Sequence, residues 1–173
     1  MARMSLPYRV MTVCTGNICR SPMAEVVLRE RLAAAGLGDR VVVDSTGVSD
    51  EERGNPVDRR ARTVLLEHGY DVDGTHRARQ VRADDLATRD LVLAMTAQHA
   101  RALRRLAHDD LDGRLFLYRT FDPAAPRVAP GGAEAVLDVA DPWYGGMRDF
   151  EDCLAEVEAA ADGIVAHVRA ALG

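Results

Sequence analysis

The alternation of two kinds of segment constrains this chain more than any other feature of its sequence. Short runs rich in Val and Leu predict buried strands at 8–13, 41–43, 91–94 and 115–117. Longer segments with apolar residues at helical spacing predict helices at 23–35, 58–68, 97–107 and 150–172. Strands that alternate with helices form a parallel sheet covered on both faces through right-handed crossovers. The prediction is therefore an α/β fold, a three-layer sandwich with a four-stranded parallel sheet and helices on both faces.

The length of the chain favours a single domain. Its 173 residues approach the usual size of one domain and bury enough surface to fold without disulfides or a metal. One domain spanning 1–173 is therefore predicted. The stretch 120–146 is irregular and holds four of the seven prolines and four glycines. A loop of that length in a compact domain is usually functional or mobile.

Charge and cysteine content exclude several classes of protein. The 22 basic residues are all arginine, against 27 acidic residues, which gives a net charge of −5. An acidic balance without a basic run argues against a general nucleic-acid binder or a polybasic membrane anchor. The three cysteines form no CxxC pair, so they fit neither a disulfide framework nor a zinc site.

The N-terminal region and the hydropathy of the chain favour a cytoplasmic protein. The first residues lack the apolar region and cleavage site of a signal peptide, and no apolar run approaches roughly 18 residues. Unpaired cysteines suit a reducing compartment. We expect a cytoplasmic location, while these features leave open export by a route that needs no signal.

The segment Cys-Thr-Gly-Asn-Ile-Cys-Arg-Ser-Pro lies between the first predicted strand and the first predicted helix. A tight loop that enters a helix N-terminus binds anions, because its free N–H groups and the helix dipole are both positive. Cys14 begins this loop, so its thiolate would lie in the same positive field. Arg20 can fold back and offer two N–H groups to one phosphate. Gly16 is expected to permit the turn, and Pro22 suits the first helical position.

The pattern C-x5-R alone is weak, and a buried structural cysteine beside a helix cap is the alternative. The longer run resembles the signature C-x-G-N-x-C-R-S-P of the low-molecular-weight protein tyrosine phosphatases. Further short motifs occur in family order along most of the chain: Asp44-Ser45, Gly54-Asn55-Pro56 with Asp58, His76 with Ala78-Arg79-Gln80, and Asp141-Pro142-Trp143-Tyr144-Gly145-Gly146. The resemblance implies a four-stranded parallel sheet with a phosphate loop between the first strand and the first helix. It also implies a protein-tyrosine-phosphatase that hydrolyses phosphotyrosine by a two-step phosphocysteine mechanism.

Hydrolysis through a thiolate needs a second group that protonates the leaving oxygen and later activates a water. One carboxyl group can do both. We predict that Asp141 is this acid and base, with Cys14 as the nucleophile and Arg20 as the phosphate clamp. Without the motif at Cys14, a turn aspartate before proline would be the better interpretation of Asp141. No metal or other cofactor is expected, because the loop and Arg20 supply the positive charge.

The resemblance also implies supporting roles. The residues expected to form the phosphate-binding loop are Thr15, Gly16, Asn17, Ile18, Cys19 and Ser21. Asn17, Ser21, Ser45 and His76 match the positions whose hydrogen bonds hold the family's loop in shape. In the family the second cysteine, here Cys19, forms a reversible disulfide with the nucleophile, and a small buried side chain is the alternative. Cys153 is expected in the core.

Two aromatic residues and an isoleucine point to the substrate. Trp143 and Tyr144 match the aromatic pair that lines the family's cleft and selects a flat aryl phosphate, although core packing is the alternative for Trp143. Ile18 stands where relatives that resemble protein arginine phosphatases carry threonine, so it favours phosphotyrosine.

The sequence departs from the family pattern at three places. Glu51 replaces the usual cleft aromatic, and with Glu52 it makes one wall acidic, which disfavours acidic phosphopeptides or favours basic ones. Thr96 stands where an aspartate is common. The loop 120–140 is longer than usual, so the delivery of Asp141 is expected to be more mobile.

Three other functions are weighed against this prediction. A protein arginine phosphatase would share the loop, and an arsenate reductase-like enzyme would need resolving cysteines where only Cys153 remains. A catalytically weak phosphotyrosine-binding module would lack Cys14, Arg20 or Asp141, and all three are present. The expected partners are phosphotyrosine-containing proteins, with inorganic phosphate or other oxyanions as inhibitors. We expect a monomer that binds neither nucleic acid nor membranes.

Overall fold

Four strands and five helices, with three short 3-10 turns, build residues 5–173, the part of the chain that this computed structural model describes. In chain order they are β1 (Tyr8–Cys14), α1 (Arg20–Ala34), β2 (Val41–Gly47), α2 (Arg59–Glu67), α3 (Ala83–Thr88), β3 (Leu91–Ala94), α4 (Ala97–Leu106), β4 (Leu115–Leu117) and α5 (Met147–Leu172). The 3-10 turns, at Tyr118–Phe121, Glu134–Leu137 and Pro142–Tyr144, lie in the long segment between β4 and α5.

The four strands form one parallel sheet in the order β2-β1-β3-β4. The chain goes from β1 to β2 on one side and then crosses to β3 on the other side of β1. This reversal of strand order creates a crevice at the carboxyl ends of the strands, where open α/β sheets bind ligands. Cys14, the last residue of β1, pairs with Gly47 and reaches this edge. The predicted four-stranded parallel sheet is confirmed.

The alternation of side chains along the central strands divides the core between the two faces of the sheet. Val10 and Leu93 belong to the larger core, packed with residues of α1, α2 and α5. Met11 and Val92 point to the opposite face and pack with α3 and α4. Because successive side chains of a strand alternate, one apolar run supplies both cores. The structure therefore has helices on both faces, as the sequence predicts.

Several element boundaries differ from the predicted ones. Helix α1 begins at Arg20, so Pro22 occupies the third helical position and the expectation of the first was wrong. Proline is tolerated there because the first turn of a helix has N–H groups without helical partners. Strand β2 continues past the predicted end at 43 to Gly47, since its polar residues pair with β1. The short α3 and the first turn of α5 were not predicted.

Within residues 5–173, no helix is both long enough and apolar enough to cross a membrane.

Candidate active site

The predicted phosphate-binding loop lies at the carboxyl edge of the sheet, between β1 and the N-terminus of α1. It forms the floor of a cleft of about 170 Å³. The lining combines the loop, an acidic segment after β2 and the segment before α5: Cys14, Thr15, Gly16, Ile18, Cys19, Arg20, Glu51, Glu52, Asp141, Trp143 and Tyr144. The structure therefore brings together residues that lie up to 130 positions apart in the sequence.

The Cys14 thiol lies at the bottom of this cleft beside a hydroxyl group. Its Sγ is 3.0 Å from Oγ of Ser21, and only 2% of the residue is exposed. Ser21 Oγ accepts a hydrogen bond from Asn17 Nδ2 at 2.9 Å, so its own proton is available for the sulfur or for the Thr46 carbonyl at 3.2 Å. A hydroxyl proton directed at Sγ stabilises a thiolate more than a thiol. The N-terminus of α1 favours the same negative charge.

Asn17 holds the loop together. It is fully buried and is the only non-glycine residue among 5–173 with a positive φ, at 61°. Its Nδ2 donates to Ser21 and to Ser45, each at 2.9 Å, and its Oδ1 accepts the Arg79 N–H at 3.0 Å. The left-handed turn of the loop therefore falls on Asn17, and the expectation that Gly16 would provide it was wrong. Asparagine tolerates this conformation better than most residues.

His76 contacts the loop from the side of α1. Its Nε2 is 2.7 Å from the Asn17 carbonyl oxygen, which can only accept, so this nitrogen carries the proton. Burial lowers the pKa of His76. Beside it lies Glu25, whose Oε2 is 3.9 Å from His76 Nδ1 and whose pKa burial raises to about 7. The sequence prediction did not include Glu25, because a glutamate on a predicted helix carries no sign of burial.

Arg20 spans the cleft from the first turn of α1. Its Nη1 donates to the Val139 carbonyl at 2.9 Å, and its Nη2 lies 3.3 Å from both Thr15 Oγ1 and Asp141 Oδ2. Only 5% of the side chain is exposed. A guanidinium group fixed in this way presents its charge at the cleft floor without rearrangement, which is the property that an anion site needs.

His99 is a residue of the site that the sequence prediction missed. It is the third residue of α4, is 3% exposed, and its Nε2 is 2.8 Å from Thr15 Oγ1. Burial, together with the nearby Arg20, lowers its pKa to about 3, so the ring is neutral. Its Nδ1 has no hydrogen-bond partner. A buried N–H without an acceptor is costly, so the proton belongs on Nε2 and is donated to Thr15. Thr15 Oγ1 then accepts from both His99 and Arg20.

Thr96, the residue that departs from the common aspartate, caps α4. Its Oγ1 accepts the His99 N–H at 3.1 Å. Threonine and aspartate are both good N-cap residues, so this substitution retains the start of the helix that carries His99.

Asp141 lies at the rim of the cleft, with about 33% of its side chain exposed. Its Oδ1 accepts the Trp143 N–H at 3.1 Å, while Oδ2 makes the ion pair with Arg20. One carboxylate oxygen is thus held by the backbone and the other faces the cleft. The rings of Trp143 and Tyr144 meet edge to face with centroids 5.0 Å apart, and they are 46% and 84% exposed. Their exposure argues against core packing for Trp143.

Hydrogen bonds anchor the long segment between β4 and α5 just before Asp141. Asp138 Oδ1 accepts the Ala97 N–H at 2.8 Å, and the Val139 N–H donates to the Met95 carbonyl at 2.9 Å. With the Arg20 bond to Val139, these contacts anchor the chain two and three residues before Asp141.

The other two cysteines are buried thiols. Cys19 is 4% exposed and Cys153 is 3% exposed. Burial raises the pKa of both, that of Cys153 to about 12. No disulfide joins cysteines in this structure, since Cys14, Cys19 and Cys153 are all free. Among the described residues, no group of three or more His, Cys, Asp or Glu side chains could hold a metal ion.

Comparison with known proteins identifies relatives along nearly the whole chain. The family model described as low molecular weight phosphotyrosine protein phosphatase matches residues 9–172. A low molecular weight protein-tyrosine-phosphatase of Streptomyces coelicolor is 50% identical over 165 residues, 95% of each chain. Low molecular weight protein-tyrosine phosphatase A of Mycobacterium tuberculosis is 45% identical, covering 93% of this chain and 91% of its own. A crystal structure of a protein tyrosine phosphatase from Entamoeba histolytica superposes with a TM-score of 0.84 at 26% identity, over 96% of this chain and 99% of the other.

Proposed function

Because the chain belongs to the low molecular weight phosphotyrosine protein phosphatase family, we propose that it hydrolyses phosphotyrosine in proteins through a phosphocysteine intermediate. One observation carries the proposal: a buried thiol, a buried guanidinium and a carboxylate face the same small cleft. These are the nucleophile, the anion clamp and the proton donor that such a reaction needs.

In the first step, the Cys14 thiolate attacks phosphorus and forms the S–P bond. The bond between phosphorus and the tyrosine oxygen breaks, and the departing phenolate takes a proton from Asp141. Arg20 and the N–H groups at the start of α1 stabilise the negative charge on the phosphoryl oxygens. Ser21, 3.0 Å from the sulfur, stabilises the thiolate before the attack.

In the second step, water releases the phosphate. Asp141, now a carboxylate, removes a proton from a water molecule, and the oxygen attacks phosphorus. The S–P bond breaks, inorganic phosphate forms, and the sulfur leaves as a thiolate that Ser21 again stabilises. One carboxyl group therefore serves as acid and then as base, so the enzyme returns to its starting protonation state.

The Arg20–Asp141 ion pair, with 3.3 Å between Nη2 and Oδ2, is compatible with this cycle. A phosphate dianion at the cleft floor competes for the guanidinium and releases Oδ2. The freed carboxylate takes up a proton from solvent and then faces the leaving oxygen as the acid. Oδ1 stays bonded to the Trp143 N–H, so the carboxyl group keeps its orientation. Inorganic phosphate and other oxyanions are expected to occupy the same position and to inhibit competitively.

The exposed aromatic pair supports phosphotyrosine as the substrate. Trp143 and Tyr144 stand beside a cleft whose thiol is almost fully buried, so a phosphate reaches the sulfur only on a long side chain. A flat phenyl ring fills the space along the aromatic wall. Ile18, which also lines the cleft, adds an apolar contact and no hydroxyl group.

The test compares kcat/KM on three peptides that differ only in the phosphorylated residue: phosphotyrosine, phosphoserine and phosphoarginine. Phosphotyrosine is expected to be preferred by at least about tenfold. Cys14→Ser is expected to abolish turnover, and the matched variant Cys153→Ser, outside the cleft, is expected to retain it. A preference for phosphoserine or phosphoarginine would contradict the substrate, and activity in Cys14→Ser would contradict the mechanism.

A further inference from the structure

Arg60 is part of the connection between the phosphate-binding loop and the segment that carries Asp141, although it does not line the cleft. It lies in the first turn of α2, and its Nη1 donates to the carbonyl oxygens of both Trp143 and Gly145, each at 3.1 Å. Its guanidinium carbon lies 4.6 Å from the centre of the Phe150 ring, at the start of α5. The side chain thus contacts the segment that carries Asp141 at two places and the following helix α5 at a third.

Asp58 holds Arg60 in this orientation. Its two carboxylate oxygens accept from Nε and Nη2 of Arg60 at 3.2 and 3.1 Å, in the two-pronged geometry that fits a guanidinium. Burial acts to raise the pKa of Asp58, but the hydrogen bonds from Arg60 outweigh it and leave the pKa lowered. The Asp58 backbone N–H donates to the Ile18 carbonyl in the phosphate-binding loop at 2.8 Å. Asp58 and Arg60 therefore join that loop to the segment after Asp141.

The peptide groups of Trp143 carry the connection to the acid. The Trp143 carbonyl accepts from Arg60, and the Trp143 N–H donates to Asp141 Oδ1 at 3.1 Å. Before Asp141, the Val139 carbonyl is bound by Arg20 at 2.9 Å. Asp141 thus lies in the chain between two residues whose carbonyl groups are bound by arginines: Val139 by Arg20 and Trp143 by Arg60.

We infer that Arg60 is a positioning residue for the general acid: it sets the height and orientation of the Asp141 carboxyl group over the phosphate-binding loop. This inference rests on the proposed function, because it assumes that Asp141 donates the proton to the leaving oxygen. Four of the five N–H groups of Arg60 are used in these bonds. Lysine, with one compact ammonium group, cannot make the same set.

The experiment measures formation of the phosphoenzyme in a single turnover with two substrates. One is a phosphotyrosine peptide, whose phenolate needs a proton to leave, and the other is an activated nitrophenyl phosphate, whose phenolate does not. Arg60→Gln is expected to slow the first by about 10- to 50-fold, because a misplaced acid is a poor proton donor, and the second by less than about threefold. Inhibition by inorganic phosphate is expected to change by less than about twofold, since Cys14 and Arg20 are unaltered.

Two further variants make the result decisive. In an Asp141→Ala background, Arg60→Gln is expected to have no further effect on either substrate, because the group that it positions is gone. Arg62→Gln is the matched control, since Arg62 is exposed on the same helix, and it is expected to behave as the wild type. Arg60→Lys keeps the positive charge beside Asp58 and replaces Arg60→Gln if that variant fails to fold; the same selective loss is expected, at about fivefold.

Equal slowing of the two substrates, or an effect of Arg60→Gln that persists in the Asp141→Ala background, would overturn the inference and leave Arg60 a structural residue. Normal rates in both Arg60 variants would overturn it as well. A different observation would contradict the proposed function itself: the wild type would form no phosphoenzyme at Cys14 from the phosphotyrosine peptide.

Discussion

The two loops that face each other across the cleft are stabilised in opposite ways. The phosphate-binding loop is mostly buried: Asn17 and Ser21 are fully covered, Cys14 and Arg20 are 2% and 4% exposed, and Thr15 alone is exposed. The segment from Asp141 to Gly146, the acid loop, is exposed except for Pro142. Arg60 binds two of its carbonyl groups, while Arg20 binds the Val139 carbonyl just before the loop and the Asp141 carboxylate. The first loop is held by side chains of its own and of the strands beneath it. The second is held by charged side chains from two helices.

This difference matches what each loop does in the proposed reaction. The phosphate-binding loop must present fixed positive groups in a dry site, where such groups stabilise charge most strongly. The acid loop must admit a protein-bound phosphotyrosine and must let Asp141 exchange one partner, Arg20, for the leaving oxygen. A carboxyl group held by one oxygen, on a loop anchored at its backbone, meets both requirements.

The largest expected effect comes from the acid loop. Asp141→Ala is expected to lower the rate of phosphoenzyme formation from a phosphotyrosine peptide by about 10²–10⁴, which corresponds to about 3–5 kcal/mol in the barrier. The inhibition constant of inorganic phosphate is expected to stay within about threefold, because the phosphate-binding loop is intact. Asp152→Ala, at an exposed position of α5, is the control. A large loss of phosphate affinity would show that the two loops are not separable in this way.

Asn17 tests the buried loop. Asn17→Ala is expected to lower the free energy of unfolding by about 2–4 kcal/mol, since it leaves buried hydroxyl groups without a donor and puts alanine at a φ of 61°. Asn17→Gly loses the same hydrogen bonds without the backbone cost, so it is expected to be about 1 kcal/mol more stable than Asn17→Ala. Urea unfolding measures both variants. If the two were equally stable, backbone conformation would not contribute to the loop.

The pH dependence of stability tests whether His99 is buried as a neutral ring beside the phosphate-binding loop. The folded-state pKa of His99 is about 3, below its ordinary value near 6.5, so the folded state disfavours the protonated ring. The contribution of His99 to the free energy of unfolding is fully present above pH 6.5 and is lost as the pH falls toward 3. Between pH 6.5 and 5 the expected loss is about 2 kcal/mol. Measured by denaturant unfolding, His99→Gln is expected to lose less free energy of unfolding over this range than the wild type. The exposed control His108→Gln is expected to lose as much as the wild type. Equal slopes in all three proteins would contradict a buried neutral His99.

The smallest expected effect is at the acidic rim. Glu51→Gln is expected to reduce the preference for phosphotyrosine peptides with basic flanking residues over acidic ones by about two- to fivefold, because exposed charges interact weakly. The difference is expected to shrink at high salt. Measurement of kcat/KM on the two peptides, with Glu67→Gln as an exposed control outside the cleft, checks this. A salt-independent change would mean that Glu51 acts by shape instead of charge.

The sheet and most of the cleft lining were predictable because their signals are local. Each strand is a short apolar run, and the residues from Cys14 to Ser21 are contiguous at a strand-to-helix junction. Boundaries were less accurate where polar residues are buried by pairing. Strand β2 continues through Asp44 and Ser45 because these residues pair with β1, and no local pattern announces that pairing.

His99, Glu25 and Arg60 were not predictable, because each depends on contacts between distant parts of the chain. His99 meets Thr15 across 84 positions, and Arg60 meets Trp143 across 83. A histidine or an arginine on an amphipathic helix normally faces solvent, so the sequence contains no sign of these two contacts. Gly16 was assigned the turn for a similar reason: glycine is the usual left-handed residue, but the bond that Asn17 donates to Ser45 and the one that it accepts from the Arg79 N–H hold Asn17 in that conformation.

The sequence by itself determined the alternation of strands and helices, because hydrophobic periodicity encodes it. It also determined the phosphate-binding loop, because Cys14 and Arg20 are close together in the chain at a junction between a strand and a helix. The tertiary structure decided which polar groups are desolvated and which side chains hold the acid loop in place. Burial and hydrogen-bond partners arise only when helices pack against the sheet. Arg20 at the start of α1 contacts Asp141, and Arg60 in α2 contacts Trp143 beside it, only in the folded chain.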